Sequence, residues 1–157
     1  MSSEGFAQMT SPAPDDVFGV WHETMLRVRY AETDKMGYVY YGNYATYFEV
    51  ARVETFRHWG FSYKELEDSG IMMPVLEYKS KFLKPAKYDD LLTIKLFLKT
   101  KPSARIVFEY EVYNEEKVLL TIAETTLVFV NQQTGKPSFP PSHFDEIISP
   151  YFNEKNS

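Results

Sequence analysis

The sequence predicts a single α+β domain in which one long helix packs against one largely antiparallel sheet. Three observations predict this class. A long stretch without Pro or Gly lies between Asn43 and Gly60 and is rich in apolar residues throughout. After Gly70 the apolar residues recur with a period of two, in four separate segments. The chain has 157 residues, which is enough for one real core but too few for two comfortable domains.

The domain is predicted to span residues 21–150, between two short tails. Residues 1–20 are rich in Ser, Pro, Gly and Asp, a composition typical of a flexible terminal segment. Residues 151–157 follow the last hydrophobic segment and are predicted to form a second tail. The sequence contains no internal repeat that would suggest a second unit.

The first strand begins near Trp21. Leu26, Val28 and Tyr30 alternate along the chain with arginines. Alternation of apolar and charged residues is typical of a strand with one buried face. A strand is therefore predicted at the start of the domain.

A loop and the long helix follow this strand. Residues 31–42 contain two glycines and no regular period, which predicts a loop. Asn43 is the predicted N-cap of the helix and Gly60 its C-terminal stop. The helix is apolar nearly all round, which predicts burial on most sides with the sheet wrapped around it. Residues 62–70 predict one more short helical turn.

Four further strands complete the predicted sheet. They share the period of two that marks a strand buried on one face. Their approximate limits are residues 76–82, 92–98, 106–112 and 118–130. Prolines after these segments end the sheet, and residues 142–148 form a short amphipathic segment. The predicted order is β-α-β-β-β-β.

Composition excludes several classes of function. The net charge of −5 argues against a nucleic-acid partner, which normally meets a basic face. The chain has no cysteine, which excludes disulfides, thiolate metal ligands and cysteine nucleophiles. Its three histidines (His22, His58 and His143) are far apart in sequence, so no metal site is predicted. No apolar run approaches the ~18 residues of a membrane span, and no signal peptide is recognisable, so a cytoplasmic protein is predicted.

The candidate chemistry lies in the loop before the long helix. This loop places a carboxylate, Asp34, just ahead of the helix N-terminus. A helix N-terminus presents free N–H groups and a partial positive charge. Such an end can hold a developing oxyanion while a nearby carboxylate attacks a carbonyl carbon or activates water. This combination favours acyl transfer.

The segment of residues 29–52 resembles the signature of the 4-hydroxybenzoyl-CoA thioesterase and YbgC-type branch of the hotdog superfamily. The predicted order of elements matches that family too. The resemblance implies a hotdog fold and hydrolysis of acyl-CoA to a free acid and CoA, without a metal or other cofactor. The positions that carry the resemblance are Asp34, Gly37, Asn43, Tyr44, Glu49 and Arg52.

The resemblance also implies catalytic roles. In that family the residue at the position of Asp34 is the catalytic carboxylate, and the backbone N–H at the position of Tyr41 polarises the thioester carbonyl. The N–H groups near Tyr41 and Gly42 are therefore expected to hold the oxyanion. Many YbgC-type members have histidine at the position of Tyr41, so a histidine-assisted mechanism is not expected here. Nucleophilic attack and activation of water by Asp34 both stay open.

Substrate-binding roles are expected for four residues. Gly37 and Tyr44 are expected to shape the pocket. Lys101 and Arg105 are expected to meet phosphates of CoA, because Lys and Arg are the usual partners of phosphate. The alternative for both basic residues is a solvated sheet face. The sequence leaves open whether the acyl donor is CoA or an acyl-carrier protein.

Two further acids lie outside the candidate loop. Glu49 is predicted to form an ion pair with Arg52 on the helix surface, and the alternative is a second catalytic carboxylate. Glu124 stands on an otherwise apolar strand face and is predicted to be a structural carboxylate with a partner.

The predicted architecture also implies assembly. Open strand edges and aromatic helix residues that one sheet cannot cover predict a homodimer at least, and a homotetramer as the favoured larger assembly. The resemblance agrees, because hotdog thioesterases are dimers or dimers of dimers with the active site at the subunit boundary. The competing function is a non-catalytic module that binds acyl-CoA or acyl-carrier protein on the same fold. A hotdog dehydratase is a third alternative, but it would require a histidine in the loop.

Overall fold

The computed structural model describes residues 20–153. The strands are β1 (Val20–Arg27), β2 (Ile71–Met72), β3 (Val75–Phe82), β4 (Leu91–Leu98), β5 (Arg105–Tyr113), β6 (Leu119–Val128) and β7 (Val130–Asn131). The α-helices are α1 (Asn43–Trp59), α2 (Tyr63–Asp68), α3 (Ser142–Ile148) and α4 (Pro150–Asn153), and a 3-10 helix covers Tyr30–Glu32.

Five of the strands form one sheet in the order β1-β4-β5-β6-β3. Every neighbouring pair in this sheet is antiparallel. The predicted order of one strand, one long helix and four strands is therefore confirmed. The predicted last strand is divided, because its end pairs with β2 in a separate two-stranded sheet.

Helix α1 lies against one face of the sheet. Its buried residues recur at the spacing of one helical face, and Phe48 stacks on Tyr110 of β5 with ring centroids 4.3 Å apart. The expectation of a helix buried on most sides is wrong for a single chain. The opposite face is exposed, including Ala45, Glu49 and Val50. The apolar character of α1 therefore extends beyond the surface that one sheet covers.

The two ends of α1 differ in how well they were predicted. Gly60 ends the helix as expected, with φ of 84° and its N–H donating to the carbonyl of Arg57. The predicted N-cap, Asn43, is wrong. The helix already includes Asn43, whose Nδ2 donates to the carbonyl oxygen of Glu32 at 2.8 Å. Its side chain binds the preceding loop instead of capping the helix.

The C-terminal boundary also lies beyond the predicted one. The predicted N-terminal tail and the last four residues lie outside the described part of the chain, except that Val20 belongs to β1. Residues 150–153 form helix α4, and Phe152 packs in the core with 3% of its surface exposed. The core therefore continues past residue 150.

None of the helices within residues 20–153 has the length and apolar character needed to cross a membrane.

Strand β3 is an open edge of the sheet. It pairs with β6 on one side and with no other strand of the described chain on the other. Large apolar side chains on it are exposed: Val75, Leu76, Tyr78 and Phe82. Exposed apolar edge strands are rare in monomers because they invite pairing with another chain.

Candidate active site

A tight turn holds Asp34 in the loop between β1 and α1. The N–H of Asp34 donates to the carbonyl of Tyr38 at 2.8 Å, and the N–H of Gly37 donates to the carbonyl of Asp34 at 3.0 Å. Oδ1 of Asp34 accepts the N–H of Met36 at 2.9 Å and of Tyr38 at 3.2 Å. Its other oxygen, Oδ2, has no hydrogen-bond partner among residues 20–153. One carboxylate oxygen is therefore fixed by the backbone, and the other is open to a ligand.

The residues before α1 carry two free backbone donors. The N–H of Asn43 donates to the carbonyl of Tyr40, whereas those of Tyr41 and Gly42 donate to no described residue. Gly42 has an ordinary helical φ of −64°. A Cβ at this position would lie 2.7 Å from the ring of Tyr40, so glycine provides space here. Free N–H groups at a helix start are suited to hold negative charge.

A cavity of about 460 Å³ lies beside Asp34 and Tyr41. Gly42, which follows Tyr41, is not part of its lining. Three of the predicted site residues, Asp34, Tyr41 and Tyr44, line it together. Tyr44 comes from α1, and its ring lies 5.0 Å from that of Phe82 at the end of β3. The complete lining is Asp34, Tyr38, Val39, Tyr41, Tyr44, Phe82, Leu83, Lys84 and Pro85. The cavity is thus a largely apolar and aromatic space with one carboxylate and one lysine.

Asp34 also lines a second depression, of about 660 Å³. This one includes Gly37, the fourth predicted site residue of the loop, and Lys35. Tyr30 and Tyr88 form another part of it, with ring centroids 5.6 Å apart. Asp34 therefore lines both depressions.

The predicted basic residues lie elsewhere in the single chain. Lys101 lies in the turn before β5, and Arg105 begins that strand. The loop of Asp34 bonds to residues 86–88, just before β4, whereas β5 begins beyond the end of β4. The two sites are therefore separated by about the length of a strand, ~25 Å at ~3.3 Å per residue. Lys84 lines the Asp34 cavity instead. The sequence did not single out Lys84, because nothing local indicates that the segment after β3 folds back to the loop.

The predicted ion pair between Glu49 and Arg52 is wrong. Arg52 is turned into the core, with 6% of its surface exposed, and its Nη1 donates to the hydroxyl of Tyr110 at 3.0 Å. Burial alone would lower the pKa of Arg52, but the contact with Tyr110 raises it. Glu49 lies on the exposed face of α1 and forms no ion pair within the described chain. Glu124 is paired with Lys79 at 2.9 Å, as predicted for a structural carboxylate.

The histidines are not all apart in space. His22 of β1 and His58 of α1 stack with ring centroids 4.1 Å apart. Burial, followed by the neighbouring His58, lowers the pKa of His22 below its ordinary value. The third histidine, His143, contacts Glu65 at 2.7 Å. Within residues 20–153, no three His, Asp or Glu side chains gather in a metal-binding arrangement.

The chain is similar to proteins of known family. The family model described as the thioesterase-like superfamily matches residues 28–148. The acyl-CoA thioester hydrolase YbgC of Escherichia coli is 33% identical over 116 residues, which cover 74% of this chain and 87% of that protein. The acyl-CoA thioesterase YbgC of Helicobacter pylori is 30% identical over 133 residues, with 78% and 96% of the two chains covered.

A solved structure shares the fold as well. The DHNA-CoA thioesterase from Staphylococcus aureus superposes with a TM-score of 0.80 and 34% sequence identity. The match covers 87% of this chain and 95% of the other. The hotdog fold that the sequence resemblance implied is thereby confirmed.

Proposed function

This chain belongs to the thioesterase-like superfamily and is a thioester hydrolase, and on that premise we propose that it hydrolyses acyl-CoA with Asp34 as its catalytic carboxylate. The products are a free carboxylic acid and CoA. The observation that carries the proposal is that Asp34, with one open carboxylate oxygen, and Tyr41, with a free backbone N–H, line the same cavity, and that the next residue, Gly42, has a free N–H too. In acyl transfer, a carboxylate can attack the carbonyl carbon or activate water, and backbone N–H groups can stabilise the negative charge on the carbonyl oxygen.

The proposed mechanism begins with the thioester carbonyl. Its oxygen binds the N–H groups of Tyr41 and Gly42, which stabilise the negative charge that develops in the tetrahedral transition state. In one route, Oδ2 of Asp34 attacks the carbonyl carbon, the C–S bond breaks, and water then hydrolyses the acyl-aspartate anhydride. In the other route, Asp34 takes a proton from a water molecule that attacks the carbonyl carbon. Both routes release CoA as a thiolate, which leaves readily because a thiol pKa is only ~8.5.

The substrate-binding part of the proposal follows the lining of the cavity. Tyr44 and Phe82 offer aromatic walls to an apolar acyl group. Lys84, which lines the same cavity, is a candidate partner for a phosphate of CoA. Lys101 and Arg105 remain candidates only across a subunit boundary, because they lie at the other end of the sheet in their own chain.

Assembly into a homodimer or homotetramer is part of the same proposal. The open edge of β3 supports it, since Val75 and Leu76 are about half exposed there (51% and 54%). The outer face of α1 supports it too, because one sheet leaves Val50 exposed there. Pairing of two β3 edges would cover both surfaces and bring a second chain close to the Asp34 cavity. A cytoplasmic location is proposed as well, and the absence of cysteine fits it.

A panel of substrates tests this proposal. The purified full chain is mixed with aromatic and with short-, medium- and long-chain acyl-CoAs, and with one acyl-carrier protein thioester, and thiol release is followed. At least one acyl-CoA is expected to be turned over at ~1 s⁻¹ or faster, the range of ordinary enzymes. Saturable binding of acyl-CoA without thiol release from any member would contradict the enzyme and support the non-catalytic binding module.

A further inference from the structure

The carboxylate of Glu32 connects the loop to helix α1. Its Oε1 accepts the backbone N–H of Arg29 at 2.8 Å and the hydroxyl of Tyr47 at 2.9 Å. Its Oε2 accepts Nε and Nη2 of Arg29 at 3.2 and 3.1 Å. Four donors therefore hold one side chain that lies two positions before Asp34 in the chain. Only Tyr47 among these partners belongs to α1.

The main chain of Glu32 makes a second connection to the helix start. Its carbonyl oxygen accepts the N–H of Tyr40 at 2.9 Å and Nδ2 of Asn43 at 2.8 Å. Tyr40 and Asn43 flank Tyr41 and Gly42, the residues with free N–H groups. Glu32 thus contacts both sides of the proposed oxyanion site while it precedes the proposed catalytic carboxylate.

Tyr47 is the rigid end of this connection. It is 3% exposed and packs edge-on against Tyr44, with ring centroids 5.6 Å apart. The side chain of Arg29 is 80% exposed, whereas that of Glu32 is 16% exposed. Since exposed ion pairs contribute little to stability, the contact with Tyr47 is the one that can fix the side chain of Glu32 relative to the core.

The pKa shifts of Glu32 and Tyr47 keep the proton of their hydrogen bond on Tyr47. Burial alone would raise the pKa of Glu32, but hydrogen bonds from Arg29 and Tyr47 lower it. Burial, and then the bond to Glu32, raise the pKa of Tyr47. Glu32 therefore stays an ionised acceptor and Tyr47 a neutral donor at neutral pH. Neither residue lines the cavities beside Asp34, so neither is proposed to act as an acid or base in the reaction.

We propose that Glu32 and Tyr47 are positioning residues, whose hydrogen bond fixes the distance between Asp34 and the N–H groups of Tyr41 and Gly42. The proposal rests on the proposed function, since that distance matters only if these groups act on one carbonyl. A reacting geometry that is misplaced by ~1 Å can cost about 100-fold in rate. Loss of the bond should therefore affect turnover more than binding or folding.

The test compares Tyr47→Phe, Glu32→Gln and Glu32→Ala with the wild-type chain on an acyl-CoA that it hydrolyses. Tyr47→Phe is expected to lower kcat about 10- to 100-fold with KM within about twofold, the mark of an interaction needed in the transition state. Glu32→Gln should retain more activity than Glu32→Ala, because its amide oxygen can still accept from Tyr47. The double variant Glu32→Ala/Tyr47→Phe should lose no more than Glu32→Ala alone, since both changes remove the same bond.

Tyr113→Phe is the matched control. Tyr113 donates to Oε1 of Glu111 at 3.0 Å, so the change also removes a tyrosine–glutamate bond, but one outside the cavity. Its kcat should stay within about twofold of wild type. Melting temperatures show which variants fold, and Glu32→Ala decides the question if Tyr47→Phe does not fold.

Two results would overturn the positioning role. One is a folded Tyr47→Phe or Glu32→Ala variant with wild-type kcat, and the other is a double variant whose loss is the product of the single losses. Asp34→Ala is measured in the same assay. If it is inactive while Tyr47→Phe is fully active, the positioning role is wrong and the proposed function stands. An active Asp34→Ala variant would reject the catalytic assignment itself.

Discussion

Asp34 and Tyr38 are joined by two hydrogen bonds, one in each direction. The N–H of Asp34 donates to the carbonyl of Tyr38 at 2.8 Å, and the N–H of Tyr38 donates to Oδ1 of Asp34 at 3.2 Å. Gly37 lies between them with φ of 78°, in the left-handed region that favours glycine. The turn thereby orients the carboxylate with one oxygen bound and one oxygen open.

Gly37→Ala should therefore affect catalysis as well as stability. A Cβ at φ of 78° is strained although the surrounding space is open, and the expected loss in the free energy of unfolding is about 1 kcal/mol. Because the strain would distort the turn that holds Asp34, kcat should fall as well. Denaturant unfolding and steady-state kinetics measure the two effects.

Gly60→Ala is the control for this prediction. Gly60 has φ of 84°, also with open space around its Cα, but it lies at the far end of α1. The Gly60→Ala variant should lose a similar ~1 kcal/mol in the free energy of unfolding and keep the wild-type kcat. Equal losses of kcat in both variants would mean that the turn has no special role.

Neutralising Lys84 should weaken acyl-CoA binding. If Lys84 meets a phosphate, Lys84→Gln should raise KM several-fold more than it lowers kcat, and salt should reduce the difference.

The double variant Lys101→Gln/Arg105→Gln should also raise KM more than it lowers kcat, if these residues serve a site across a subunit boundary. An unchanged KM in either variant would mean that the substituted residues face solvent and do not bind CoA. Lys136→Gln, in a distant loop, controls for loss of charge.

Disruption of the β3 edge should separate the subunits. The wild-type chain is expected to have at least twice its monomer mass of 18.4 kDa in light scattering. Leu76→Lys places a charge on the exposed edge strand and should shift the mass towards the monomer, with loss of activity. Met25, on the opposite edge strand β1, is similarly exposed (60% against 54%), and Met25→Lys should do neither. A stable, active wild-type monomer would exclude a shared active site.

The stability of the chain should decrease at mildly acidic pH through His22. Its pKa is lowered in the folded state by burial and by His58. Below pH ~6.5 the unfolded chain therefore binds a proton that the folded chain resists, so the free energy of unfolding falls until the pH reaches the folded pKa. His22→Gln should reduce this fall between pH 7.5 and 5. Urea midpoints measure it, and an unchanged pH dependence in His22→Gln would contradict the assignment.

The order of elements could be predicted because local patterns determine it. The period of two after Gly70 and the glycine stop at residue 60 are both signals within a few residues of the structure they produce. The direction of Arg52 could not be predicted this way. An arginine at the spacing of a surface ion pair is turned inward because Tyr110, from a distant strand, offers it a hydroxyl. The contact of His22 with His58 is missed for the same reason.

The residues of the candidate site likewise fall into those that local sequence patterns predict and those that only distant contacts bring together. Asp34, Tyr41 and Tyr44 lie within one short segment, so their convergence on one cavity follows from the loop and the helix start. Phe82 and Lys84 complete the cavity from the end of β3, and only the paired sheet brings them there. Sequence patterns could therefore indicate the proposed reacting groups but not the other residues that line the cavity.

Asp34→Asn tests the central claim most directly. The amide oxygen can still accept the N–H groups of Met36 and Tyr38, so the turn should persist and the melting temperature should stay nearly unchanged. The amide can neither attack a thioester nor take a proton from water, so kcat should fall by several orders of magnitude. Asp68→Asn, an exposed acid paired with Lys64, should keep full activity. If Asp34→Asn keeps more than about a tenth of wild-type turnover, a barrier change of only ~1.4 kcal/mol, Asp34 is not the catalytic carboxylate.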